Sequence, residues 1–292
     1  MDPIMRIGSH TVELSHTEKL LFPDDGITKG DLIDYYHRIA ETMLPHIQGR
    51  PVMLQRFPNG IAKPGFVQKE APNTYPDWIP RVKVPKEGGR LTEIVCDDAA
   101  TLIFLANQDC ITPHVWLSRA DRLDTPDRMI FDLDPPGDDF ALARDAAIAL
   151  RKLLEDSGLP AFVMATGSRG LHVLVPLKRE HGFEAVRHVA QQVAGRLAQS
   201  DPGRYTTEMR KEARQGRLFL DTFRNGYAQT AVPPYAVRPK PGAPVATPLE
   251  WSELDDLTLT AHRYTLRTVF ARLKTHPDPW RDLGVSAAPL PK

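Results

Sequence analysis

The stretch RMIFDLDPPGDD (Arg128–Asp139) begins as a buried strand and then sets two acids, Asp132 and Asp134, one residue apart before a Pro-Pro-Gly turn. Side chains alternate across a strand. Met129, Phe131 and Leu133 therefore face one way, and Ile130, Asp132 and Asp134 the other. The two carboxylates share a side, roughly 6–7 Å apart at their bases. Each raises the pKa of the other unless a cation stands between them. Two divalent ions about 3.5–4 Å apart can be held by such acids and can activate both partners of a phosphoryl transfer. Asp-Pro at a strand end is also an ordinary turn starter, so this motif alone serves a turn as well as a metal.

A third acid shifts the balance. RLFLD (217–221) is another short apolar strand ending in an acid, Asp221. The shared form predicts that the two strands lie side by side and present three carboxylates to one site. TGSRGLHVLVPL (166–177) adds a turn between two apolar strands, bracketed by Gly167 and Gly170. Glycine lets a backbone turn tightly and approach an anion closely. Ser168 can donate to a phosphate oxygen, Arg169 can neutralise it, and His172 can donate to a phosphate or a sugar hydroxyl. By itself the turn is a hairpin tip; beside three acids it suits a triphosphate.

Around these motifs the pattern predicts a mixed α/β or α+β sheet domain. Strands are expected at 129–134, 161–165, 171–177 and 217–221, short and rich in β-formers. A helix follows Thr28, whose hydroxyl and Asp31 form a capping pattern, with Ile33, Tyr36, Ala40, Met43, Leu44 and Ile47 at helical spacing. Further helices are expected at about 139–157, stopped by Gly158, at 183–198, and over 262–273. The section 60–89, with prolines at 64, 72, 76, 80 and 85, reads as the most loop-like part.

The bulk numbers exclude several classes. The chain has 292 residues, 41% of them apolar, and 37 basic residues balance 37 acidic ones. A nucleic-acid-binding surface must then come from local clusters such as RYTTEMRKEARQGR (204–217), which otherwise reads as a solvated helix or loop. No apolar run is long enough to span a membrane, and the N-terminus lacks a secretory pattern. Cys96 and Cys110 are too few for a disulfide framework or a cysteine-based zinc site. The expectation is a cytoplasmic protein.

FDLD, GSRGLH and FLD, in that order, resemble the three motifs of the archaeo-eukaryotic primase superfamily, and more closely the polymerase domain of bacterial DNA ligase D. The likeness extends over EKLLFPDDGITKGDLIDYY, GRPVMLQRFPNG, RLFLDTFRNG, PPYAVRP and TPLEWSELDD. The resemblance implies a single primase-polymerase domain over 1–292. Its N-terminal α/β portion would end at about 125. An RNA-recognition-like catalytic sheet flanked by helices would follow to about 250, then a helical tail. It implies nucleotide addition, with a leaning to ribonucleotides, at gaps or double-strand breaks, using two Mn2+ or Mg2+ ions. Acting on the nucleoid, the protein would take nucleoside triphosphates and DNA with a 5′-phosphate, with Ku and a DNA ligase as partners.

Carried over by position, Asp132, Asp134 and Asp221 are the catalytic, metal-binding acids. Ser168, Arg169, His172, Arg238 and His114 are nucleotide-binding positions. Lys19 and Lys29 match a grip on the 5′-phosphate, and His16 stands where relatives can carry asparagine. Arg56 and Phe66 match template contacts, with Val67 where a relative has a second aromatic. Arg214 matches a loop arginine that organises the site or a second DNA end. No K-x-D-G ligase motif is present, so the chain is expected to polymerise without sealing, as a stand-alone protein or a domain of a larger ligase. Two rivals remain from the residues. One is a haloacid-dehalogenase-type phosphatase with Asp132 as nucleophile, although Pro135-Pro136 follow the acids where that family has Gly-Thr. The other is a non-catalytic DNA-end-binding module.

Overall fold

The computed structural model describes residues 3–291. The chain divides into two compact units. One comprises the chain up to Trp116 with Thr230–Val245 and Thr265–Val269; the other comprises Leu117–Gln229, Ala246–Tyr264 and the chain from Phe270 onward.

The first unit is built on an antiparallel sheet in the order Thr230–Ala231, Cys110–Trp116, Pro51–Arg56, Gly89–Val95, Arg81–Lys86, with Phe66–Gln68 also paired to Pro51–Arg56. The helix Lys29–Ile47 begins at a capping box in which Asp31 N–H donates to the Thr28 hydroxyl and Thr28 N–H donates back to Asp31. Its apolar stripe, including Leu32, Ile33, Tyr36, Ile39 and Met43, is buried, each such side chain contributing about 1.5–3 kcal/mol. Tyr35 and Tyr36 are buried with their hydroxyls satisfied by the carbonyls of Tyr235 and Ile111.

The section 60–89 is less loop-like than its prolines imply, for Phe66–Gln68 and Arg81–Lys86 are strands. Arg81–Lys86 lies at the sheet edge, where Pro85 removes no needed ladder donor. Alternation there buries Val84 and exposes its charged neighbours.

The second unit holds a six-stranded sheet in the order Tyr205–Thr206, Leu218–Asp221, Arg128–Asp134, Leu171–Pro176, Phe162–Ala165, Thr247–Leu249. All pairings are antiparallel except that of Tyr205–Thr206 with Leu218–Asp221. The helices Phe140–Asp156 and Phe183–Ser200 supply Ala143, Leu150, Val186 and Ala190 to the core they share with Phe131, Leu133, Val173 and Leu220 of the sheet. Asp139 caps the first of them, accepting from Leu142 N–H, and Gly158 at φ +72° follows its end. The expected tail helix is shorter and later, Val269–Thr275. Ahead of it Thr265 and Thr268 bond each other in a tight turn, the local competition by which threonine delays a helix.

Candidate active site

The two strands that end in acids lie side by side in the second unit, with Asp132 opposite Asp221 and Asp134 opposite Phe219. On its other side Asp132 is opposite His172. Residues directly opposite on antiparallel strands share a face, with Cβ atoms about 4.5–5.5 Å apart. Asp221, Asp132 and His172 therefore form one row across three strands, and Asp134 stands two residues on. Met129, Phe131, Leu133, Leu218 and Leu220 point the other way into the helix-covered core. The strands form because their apolar halves are buried, and the same alternation sets the acids on the opposite face.

Guanidinium groups converge on this face. Arg169 lies 2.9 Å from Asp134 Oδ1 and Arg214 3.3 Å from Asp134 Oδ2. His172 Nε2 lies 3.5 Å from Asp132 Oδ1, and Arg224 Nε 3.7 Å from Asp132 Oδ2. Arg214 also lies over the Phe219 ring at 3.9 Å, and is carried by the short turn Lys211–Arg214 inside the basic run. Burial holds the Asp221 carboxyl above the usual carboxylate range; Asp132 and Asp134 push the same way, while the Phe223 N–H and Arg224 oppose. The Phe223 N–H donates to Asp221 Oδ1 at 2.7 Å.

The glycine turn is closed by Thr166, whose N–H and hydroxyl both donate to the Gly170 carbonyl. Gly167 has φ +64°. A Cβ at Gly170 would fall on the Leu133 carbonyl oxygen, so this glycine lets the turn press against the acid-bearing strand. Close approach to protein backbone, rather than to an anion, is what the structure asks of it. Ser168 and Arg169 lie at the turn's outer end, half-buried and exposed respectively.

The remaining expected positions lie in the first unit. Lys29 is buried, with Nζ 2.7 Å from the Asn107 carbonyl oxygen, 3.3 Å from the Ser15 hydroxyl and 3.9 Å from Asp109. Burial lowers its pKa, partly countered by Asp109. Lys19 pairs with the same Asp109 carboxylate at 2.7 Å. The two lysines thus flank one acid. His16 is exposed with φ +51°, a backbone state that asparagine and histidine tolerate better than most residues. Arg56 donates to the Gln108 carbonyl and to Gln68, and lies 5.3 Å from the centre of the half-exposed Phe66 ring. His114 is on the central strand Cys110–Trp116 opposite Met53. Arg238 follows the buried Tyr235–Val237 run, its N–H donating to the Pro244 carbonyl.

Three contributors were not singled out from the sequence. Asp109 follows the helix Ala99–Asn107 with no motif around it. Arg224 and Asn225 lie within RLFLDTFRNG, and the only signal for them was their place just after Asp221. The Asn225 carboxamide accepts from Ile130 N–H and donates to the Ile130 carbonyl, continuing the sheet beside Arg128–Asp134 where no strand does.

Among the described residues no group of three or more His, Cys, Asp or Glu side chains is gathered as a metal cage. The acids share a face, but the oxygens of Asp132 and Asp134 are turned to arginines and Asp221 accepts from the Phe223 N–H. The donor set still suits a hard divalent cation, which takes carboxylate oxygen, and such an ion relieves the like-charge repulsion that adds to burial in raising the Asp221 pKa. His172, nearly buried, keeps Nδ1 without a hydrogen-bond partner among the described residues, an atom that a bound ligand can complete.

A family model described as LigD, primase-polymerase domain, matches residues 28–280. The multifunctional non-homologous end joining DNA repair protein LigD of Mycobacterium tuberculosis is 36% identical over 263 residues, covering 87% of this chain and 34% of the relative. The multifunctional non-homologous end joining protein LigD of Pseudomonas aeruginosa is 32% identical over 280 residues, covering 95% and 33%. The bifunctional LigD of Bacillus subtilis is 31% identical over 273 residues, covering 93% and 44%. The chain therefore spans between a third and a half of the length of these relatives. The solved polymerase domain from Mycobacterium tuberculosis ligase D, in complex with DNA, superposes with a TM-score of 0.88 at 34% identity, covering 95% of this chain and 99% of that one.

Proposed function

The chain belongs to the LigD primase-polymerase domain family, and from that premise we propose that it is a DNA-dependent nucleotidyltransferase of end joining or gap repair. It adds nucleotides, ribonucleotides by preference, to 3′ ends at gaps or breaks. The observation that carries the reading is the row Asp221–Asp132–His172, with Asp134 beside it and the Ser168–Arg169 turn leading into the His172 strand. The phosphatase reading gives way to it. The non-catalytic reading is disfavoured because all three acids are present on one face.

In this mechanism Asp132 and Asp134 would hold two divalent ions, Mn2+ or Mg2+, and Asp221 would complete the site for the primer 3′-hydroxyl. Bound there, the ions supply Lewis-acid charge at the phosphates and lower the pKa of the attacking hydroxyl. Arg169 and Arg214 neutralise Asp134, and Arg169 with Ser168 is the pair that would bind the triphosphate, a guanidinium holding phosphate oxygens in a bidentate fork. His172 orients a phosphate or sugar hydroxyl through its uncommitted nitrogen. Arg238 and His114 contact the nucleotide.

DNA is held by the first unit's residues. Lys19 and Lys29, spaced by Asp109, read a 5′-phosphate as point charges, with His16 beside them. Arg56 and Phe66 receive the template, the exposed ring as a stacking surface. Ku and a ligase are the partners such repair needs, and the nucleoid is its place.

A primer-extension assay on a 5′-phosphorylated gap, run with ribo- and deoxynucleotides and with each metal in turn, tests the reading. Metal-dependent extension that favours the phosphorylated gap supports it. No extension under any of these conditions overturns it.

A further inference from the structure

A pocket of about 310 Å3 opens in the second unit at the edge of the strand Leu218–Asp221, against the helix Phe183–Ser200, its lining including Arg187, Gln191, Met209, Leu220, Thr222 and Phe223, with Thr207 and Phe219. It exists because the edge strand Tyr205–Thr206 is short. Its pairing with Leu218–Asp221 stops at Thr206 and Phe219, so the edge of the acid-bearing strand beyond Phe219 has no strand over it. The helix Phe183–Ser200 supplies Arg187 and Gln191, and the turn after Asp221 supplies Phe223.

The lining combines a stacking surface with hydrogen-bonding groups. The Phe223 ring is 37% exposed and the Arg187 guanidinium lies 5.2 Å from its centre. Met209, 58% exposed, offers a second adaptable apolar surface. Gln191, Thr207 and Thr222 carry donors and acceptors, and Arg187 is the one charged residue of the lining. A half-exposed ring, a cation and neutral hydrogen-bonding groups suit a nucleobase with its phosphate nearby. The volume is at the low end for small-ligand pockets, room for one nucleotide and not for a duplex.

The sheet order indicates which nucleotide. The Ser168–Arg169 turn leads into the strand on one side of Arg128–Asp134, and the pocket borders the strand on the other side. In-line transfer sets the attacking hydroxyl and the leaving pyrophosphate on opposite sides of the reacting phosphorus, so a triphosphate held at the turn leaves the other side of the acid row to the hydroxyl. We propose that this pocket is a stacking subsite for the terminal base of the strand being extended, with Phe223 as the platform and Arg187 as its cation. The Phe223 N–H bonds Asp221, so the residue carrying the platform is tied to the acid assigned to the primer 3′-hydroxyl. The inference rests on the polymerase reading above and deepens it.

The test uses binding, without divalent ions, of a primed oligonucleotide carrying photoreactive 5-iodouracil as its 3′-terminal base. Crosslinks are expected in the Thr207–Met209 or Thr222–Phe223 segments. Replacing the terminal base by an abasic unit is expected to weaken binding roughly tenfold, the scale of one lost base–aromatic stack. In Phe223→Ala and in Arg187→Ala the abasic unit should cost nothing further, while Phe223→Trp restores the difference. Crosslinks confined to the first unit, or equal affinity for abasic and intact ends in the parent protein, overturn the subsite. If the crosslinks fall as expected but no primer is extended with metal, the subsite stands and the polymerase reading fails. If primers are extended with no dependence on the terminal base, the polymerase reading stands and the subsite fails.

Discussion

Asp132 and Asp221 stand directly opposite each other on adjacent antiparallel strands, and His172 meets Asp132 from the other side. The row joins segments far apart in the chain into one charged line. It also creates a conflict, because burial and two like charges raise the Asp221 pKa. Three carboxylates kept in such a place are a cost to folding that a bound cation can offset.

The first prediction concerns that cation. Asp132→Asn and Asp221→Asn should each reduce primer extension by roughly a thousandfold or more, since the charge they organise is worth several kcal/mol in a transition state. DNA affinity should stay within about twofold, because the acids are not assigned to the duplex. Mn2+ should raise the melting temperature of the parent protein by mass action and leave that of Asp132→Asn nearly unchanged. Calorimetry with and without the ion decides it.

The raised pKa of Asp221 has its own consequence. The native state binds this proton more tightly than the unfolded chain does. The group therefore contributes stability below the unfolded value near pH 4, and that contribution is lost as pH rises through the folded value. Without metal, Asp221→Asn should melt at a higher temperature than the parent at pH 7, with the gain disappearing by about pH 3. Melting curves across that range that stay parallel contradict the assignment.

Glu93 offers a second titration remote from the acid row in sequence. Burial pushes its carboxyl up to about 7, against the Trp116 indole N–H at 3.0 Å and the charge of Lys69. The sign is the same: stability present at acid pH is lost as pH climbs through about 7. Glu93→Gln should flatten the fall between about pH 4 and 7, a difference of a few kcal/mol, read by denaturant titration at each pH.

Lys19 and Lys29 share Asp109 but not their surroundings. Lys29 is buried with backbone and hydroxyl partners, whereas Lys19 is partly exposed. Lys29→Ala should cost about 3 kcal/mol, since it strands the Asn107 carbonyl and empties the space of a buried side chain. Lys19→Ala should cost under about 1 kcal/mol yet erase the preference for a phosphorylated over a hydroxylated gap. Unfolding and gap-binding titrations on both variants separate the two effects.

Gly170→Ala should be the most damaging small substitution in the turn. The added Cβ meets the Leu133 carbonyl, next to both Asp132 and Asp134, and nearby backbone must move. A loss of about 2–4 kcal/mol is expected, with extension falling even at temperatures where the variant is folded. Hydrogen exchange at Leu133 and Asp134 reads the displacement directly.

Much of this molecule is legible in its sequence. Thr28 and Asp31 marked a helix start because a capping box is made within four residues. RMIFDLD marked a buried strand ending in acids because Phe131 and Leu133 alternate with Asp132 and Asp134 within one short run. The prolines of 60–89 misled, since a proline's effect depends on whether its strand lies at an edge, and Arg81–Lys86 does. The tail helix starts later than its helical spacing predicts because Thr265 and Thr268 bond each other in a turn ahead of it.

What the sequence determined by itself is local: which residues alternate, which turn, which segments end in an acid, and therefore which chemistry could be assembled. Tertiary structure alone decided the assembly. It set the register that puts Asp221 against Asp132, the arginines that settle on Asp134, and the burial that separates Lys29 from Lys19. Alternation is written into a few consecutive residues. Register and burial arise only when distant strands choose partners, and that choice is made by the whole core at once.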